Sequence, residues 1–146
     1  MEQKKIVEDV LKSLYKNAHV ALQSLSNITP ETDDLELKNE LLAEYEAYEK
    51  IIGELSSYMA ELKIEPKDIN PLKKAMMWSS IKMSTMVDNG KNHIADMMLQ
   101  GTNMGVIELT TIKNESEHLI DDRTKKLLND LLELEEKNID KLKTFL

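Results

Sequence analysis

Residues 65–90 run EPKDINPLKKAMMWSSIKMSTMVDNG, and the path the chain takes through them decides the fold. Pro66 and Pro71 bracket a short linker that no helix can traverse intact, because proline lacks the N–H a helix needs and constrains the residue before it. Proline is welcome at a first helical position, so a helix is expected to start near Pro71. Leu72, Met76, Ser79, Met83 and Met86 then share one face, with Trp78 and Ile81 beside them. Asp88-Asn89-Gly90 stops the run, Asn-Gly being a strong breaker. At 1.5 Å per residue a helix over 71–88 is on the order of 27 Å long, long enough to climb the outside of a helical bundle. It would bring the chain back to the end where the preceding helix began. The helices on either side of it are therefore expected to run parallel.

Those flanking helices are written in the apolar spacing. Over 35–63, Leu41, Tyr45, Tyr48, Ile52, Leu55, Met59 and Leu62 alternate steps of four and three, which lays one seam along a helix. Upstream, Val7, Leu11, Leu14, Ala18, Ala21 and Leu25 do the same over 4–26, and Pro30, Thr32 and two aspartates before residue 35 supply a turn and N-caps. Downstream, helices are expected over 92–116 and 121–145, the second with Ile120, Leu127, Leu131, Leu134, Leu142 and Phe145 on one side. Only four glycines and three prolines interrupt a chain rich in Leu, Lys, Glu and Met, all helix formers. The 146 residues suit one domain, 1–146. The expected fold is an all-α four-helix bundle with a long helical crossover between helices 2 and 3, the ferritin-like topology, in contrast to the up-down bundle with short loops.

Composition removes several functions. There is no cysteine, hence no disulfide framework and no thiolate ligand or nucleophile, which fits a cytoplasmic protein. The N-terminal MEQKKIVEDVLKSLY has no continuous apolar run of the kind a signal peptide carries, and no stretch reaches the length of a membrane span. A formal net charge of -8 disfavours nucleic acid. No phosphate loop or Ser-His-Asp arrangement is present, so an enzyme here would have to work through carboxylates, and the reading leans away from an enzyme.

Three segments carry a resemblance: HIADMMLQGTNMGVIELTTIKN (93–114), KNIDKLKTFL (137–146) and INPLKKAMMWSSIK (69–82). Together they resemble small bacterial proteins of unknown function in the ferritin-like superfamily, in particular variants from anaerobic Gram-positive bacteria with an N-M-G segment after a glycine, here Asn103-Met104-Gly105. The resemblance implies a ferritin-like bundle, and the departures bear on its metal centre. Metal-competent members carry an acidic E-R-G-E-D type block around that glycine, whereas Gly101 is flanked by the neutral Gln100, Thr102 and Asn103. Such members also tend to carry N-H-D near the end of the last helix, where this chain has Asn138-Ile139-Asp140.

The residues themselves tell a similar story. A di-iron carboxylate bundle needs one Glu from each of two helices and a Glu-x-x-His from each of the other two. The chain holds one Glu-x-x-His, Glu115 to His118, placed where a helix is expected to end, so a solvated terminus is the simpler reading. Glu108, four residues after Met104 and four before Ile112, is expected inside the bundle on the apolar face. Glu135 is expected at the border of the last helix's seam with Asn138 near its middle, and Glu44 beside Tyr45 and Tyr48. The favoured reading is a hydrogen-bonded network in which tyrosines and Asn138 satisfy Glu108, with no cofactor. The alternative is iron or manganese on Glu44, Glu108, Glu115, His118 and Glu135. Gly101 and Gly105 should share the face of Glu108 and allow close helix approach, or open room for a small hydrophobic ligand beside Met104. Apolar residues all round the crossover helix point to a homo-oligomer, most simply a homodimer. The favoured function is a non-enzymatic structural or interaction module.

Overall fold

The computed structural model describes residues 2–66, 77, 81–83, 85 and 88–146. Four long helices make up most of it: α1 (Glu2–Ile28), α2 (Leu35–Glu61), α3 (Lys91–Ser116) and α4 (Asp122–Lys143). Each boundary has a local cause. The 3-10 turn Thr29–Glu31, with Pro30 in its first positions, ends α1. Asp34 caps α2 by accepting the Leu37 N–H at 2.8 Å, and Asp121 caps α4 through Thr124. α2 closes before Pro66 is reached. The Lys63 N–H bonds the Ala60 carbonyl and the Ile64 N–H bonds that of Met59, with Lys63 at φ 59°, a left-handed cap of the Schellman type.

Directions follow from pairs across the bundle. Tyr58 of α2 meets Asp121 at the start of α4, and Tyr48 meets Glu135 two turns and more further along, so α2 and α4 are antiparallel. The short 3-10 turn Glu117–Leu119 folds α4 back against α3. α2 and α3, both antiparallel to α4, therefore run in the same direction. Asn17 of α1 reaches Gly105 of α3, which seats α1 between α2 and α3. One hydrophobic cluster draws on all four helices, with Leu11, Leu14, Leu25, Leu37, Leu41, Leu55, Ile94, Leu109 and Leu128 fully buried. Among the described residues, no helix is long and apolar enough to cross a membrane.

The expected helix over 71–88 lies mostly outside the described residues, Leu72, Met76, Trp78, Ser79 and Met86 among them. Its described positions Met77, Ile81, Lys82, Met83 and Thr85 are helical. They correct the expected face: Ile81 and Thr85 are buried, Ser24 donates to the Met77 sulfur at 3.2 Å, and Met83 stands 71% exposed. The inward stripe is 77, 81 and 85, four apart.

A second correction concerns α3. Its inward residues are Ile94, Ala95, Met98, Thr102 and Leu109. The face assigned from Gly101, Met104 and Glu108 is solvent-facing, with Met104 71% exposed. The assignment slipped by one residue, about 100° around a helix, because Ile107 and Leu109 flank Glu108 and either neighbour can supply the apolar stripe.

Candidate binding site

A cavity of about 480 Å³ opens between α1, α3 and the crossover and reaches down to α2 and α4. Small residues leave it open: Ala21 and Ser24 on α1, Gly101, Thr102 and Gly105 on α3. Its walls are Val20, Ala21, Ile28, Ile81, Met97 and Met98, and its polar end holds Asn17, Glu44, Tyr48 and Glu135, with Lys16, Met104 and Glu108 at the rim.

The polar end is built from four helices. Glu44 and Glu135 are each 2% exposed. Tyr48, one turn after Glu44 on α2, donates its hydroxyl to Glu135 Oε2 at 3.1 Å. Asn138, one turn after Glu135 on α4, is buried with them. Asn17 of α1 donates to the Gly105 carbonyl at 3.3 Å. A Cβ on Gly105 would stand 2.5 Å from Glu135 Oε1, so the missing side chain is what admits the carboxyl group.

Burial sets the charge state. It pushes the Glu44 pKa from 4.5 up to about 10, with the neighbouring carboxyl of Glu40 adding to the shift. It raises Glu135 to about 8, where the Tyr48 hydrogen bond works against the rise and the Glu108 charge works for it. Tyr48 is itself raised, by burial and then by Glu135. At neutral pH Glu44 is therefore uncharged and Glu135 mostly so, each able to donate through O–H and to accept through C=O. The protein leaves part of that capacity unanswered: the neutral Glu44 has the Glu40 carboxylate to donate to, but no protein donor reaches the oxygens of Glu44, Oε1 of Glu135 or Oδ1 of Asn17, all buried.

The four acids and one imidazole singled out in the sequence do not all converge. Glu44 and Glu135 come together inside. Glu108 is exposed at the rim, and Glu135 holds the Tyr48 hydroxyl that Glu108 was expected to engage. Glu115 and His118 are exposed at the end of α3 and in the following 3-10 turn, away from the cavity lining. Among the described residues no three His, Cys, Asp or Glu side chains gather to hold a metal ion. Asn17 is the participant the sequence reading missed. Its signal was present, since it lies three residues after Leu14 and one before Ala18, both on the α1 seam.

A second hollow, of about 640 Å³, lies at the other end of the bundle near Lys4, Glu8, Tyr58 and Asp121. Its acids are already answered, Glu8 by Lys12 at 2.9 Å and Asp121 by Tyr58 and Thr124. The unanswered groups single out the first cavity. No family model, no curated protein and no solved structure matches the chain.

Proposed function

We propose that the chain is a non-enzymatic ferritin-like bundle with a degenerate metal centre, acting in the cytoplasm as an oligomeric structural or interaction module, most simply a homodimer. The observation that carries this reading is the donor set around Glu44 and Glu135. A di-iron bundle takes Glu from two helices and Glu-x-x-His from the other two. Here α2 offers Glu44 with Ala47 three residues on, and α4 offers Glu135 with Asn138 three residues on. α1 and α3 bring Asn17 and Gly105 to the same place. Two acids remain and no imidazole, a set that does not fit a pair of iron or manganese ions. The parallel course of α2 and α3 supports the ferritin-like part of the reading, and exposed apolar residues on α3, Met104 and Ile107, give a second copy a surface to meet.

The alternative, weak iron or manganese binding by carboxylates, rests on Glu44 and Glu135 facing one cavity. Melting curves with and without Mn²⁺ or Fe²⁺ separate the two, because a ligand of the native state alone raises stability, by about 2.7 kcal/mol at a hundred times its Kd. The expected result is no metal-dependent rise in the wild type or in Glu135→Gln. A rise in the wild type that disappears in Glu135→Gln would overturn the proposal.

A further inference from the structure

We propose that the cavity between α1, α3 and the crossover binds a small organic ammonium ion, a primary amine with an apolar body, its nitrogen seated against Glu44 and Glu135. The proposal goes beyond the reading of the bundle as an interaction module and does not depend on ferritin-like ancestry.

Shape and chemistry point the same way. A cavity of about 480 Å³ is of the size that takes small molecules, which fall between about 300 and 1,000 Å³. Its floor carries Glu44, 2% exposed, with both oxygens lacking any protein donor, and Glu135 with one oxygen in the same condition. Both acids line the same end of the pocket; with one of them ionised, its carboxylate and the C=O of the other offer acceptors, and an alkylammonium group carries three N–H donors. The walls above are apolar, from Val20, Ile28, Ile81 and Met98, so the body of the ligand gains by burial.

Other ligand classes fit less well. Among the described residues, an anion would find no cation to pair with on the floor and would have to pass Glu108 at the rim of a chain of net charge -8. A divalent cation would find two carboxyl groups, and no third acid, thiol or imidazole gathers with them among the described residues. A neutral alcohol could use one or two of the floor's groups but brings no charge to pair with a carboxylate. The chain's net charge of -8 favours the approach of cations, and Glu108 at the rim adds a local acid.

Binding should release a proton. The groups facing the floor are Glu40, Glu44 and Tyr48 from α2, Glu135 from α4, Glu108 from α3 and Lys16 from α1. Without the amine, burial keeps Glu44 and Glu135 neutral, with Glu135 the easier to ionise at about 8. An ammonium seated there stabilises a carboxylate, so one of the two acids gives up its proton as the ligand enters. Linkage then makes affinity rise about tenfold per pH unit up to the pKa of that acid.

The test is calorimetric titration of the full chain with hexylamine, and with hexanol, hexanoate and Mn²⁺ as comparisons, at about pH 6, 7 and 8. Hexylamine should bind, at least tenfold tighter than hexanol, with affinity rising with pH and one proton released in buffers of different ionisation enthalpy. Glu44→Gln should weaken it at least tenfold. If that variant does not fold, the proton count in the wild type carries the test alone. Equal affinity for hexylamine and hexanol, release of no proton, absence of binding at millimolar amine, or Mn²⁺ binding that competes with the amine and is lost in Glu44→Gln would each overturn the proposal.

Discussion

Glu135 owes its place to three neighbours: Gly105, which leaves it room, Tyr48, which donates to it, and the surrounding core, which keeps water away. Gly101, one turn earlier on the same helix, has nothing within 4 Å of where a Cβ would stand. The two glycines should therefore answer substitution differently. Gly101→Ala is expected to stabilise by about 0.5–1 kcal/mol, the ordinary gain of alanine in a helix. Gly105→Ala has the same gain offset by displacement of the Glu135 carboxyl group, so it should fall below Gly101→Ala by about 1–3 kcal/mol. Urea unfolding of the two variants checks this, and equal effects would contradict the close contact. The buried acids also set the pH dependence of stability. Glu44 and Glu135 hold their protons in the fold up to about 10 and about 8, whereas in the unfolded chain they ionise near 4.5. Between those limits the native state binds more protons, so stability falls as pH rises. Asp121 has the opposite sign. Burial works against its charge, but hydrogen bonds from Thr124 and Tyr58 outweigh it and hold its pKa below 3.8, so its contribution is lost only in stronger acid. The melting temperature should be higher near pH 5.5 than near pH 8, with a shallower slope in Glu135→Gln. A melting temperature that climbs over this range would count against the neutral acids.

At the scale of the helices, the elements written in an unbroken pattern were legible and the ambiguous one was not. Of the α1 seam, Val7, Leu11, Leu14, Ala18 and Leu25 are buried as their spacing implies and Ala21 is half-buried, and most of α4's seam is buried too. α3 failed because its polar and apolar residues interleave: Thr102 is buried with its hydroxyl bonded to the Met98 carbonyl at 2.7 Å, while Met104 and Ile107 face out. A threonine that satisfies itself within its own helix can be core, and a methionine need not be. That one-residue slip carried Glu108 from the rim to the expected centre. The end of α2 offers a test of local reasoning. Lys63 takes a left-handed conformation, φ 59°, which costs a side-chain-bearing residue about 1–2 kcal/mol and glycine almost nothing. Lys63→Gly should stabilise by up to about 1 kcal/mol after the greater freedom of glycine in the unfolded chain is offset. Guanidinium unfolding would show it, and a loss of stability would mean that the lysine side chain does more than close the helix.

For the molecule as a whole, an all-helical bundle with α2 and α3 in one direction was legible from two prolines, one Asn-Gly and the length between them. The interior chemistry was legible only in part. Glu44 and Glu135 could be named as candidates because they sit beside apolar seams, but no spacing shows that a carboxyl group is buried without a partner. That depends on which small residues the neighbouring helices bring opposite it, as Gly105 does for Glu135. The central claim is that this bundle is organised around two buried neutral acids facing a cavity, where a di-iron carboxylate bundle carries charged ligands. Carbon-13 NMR titration of the glutamate side-chain carboxyl groups, with Glu44→Gln and Glu135→Gln to assign them, tests it most directly. Two resonances should remain in the protonated form at neutral pH and titrate near 8 and near 10, each missing from its own variant. If every glutamate titrates in the ordinary range near 4.5, the interior is not what the structure describes.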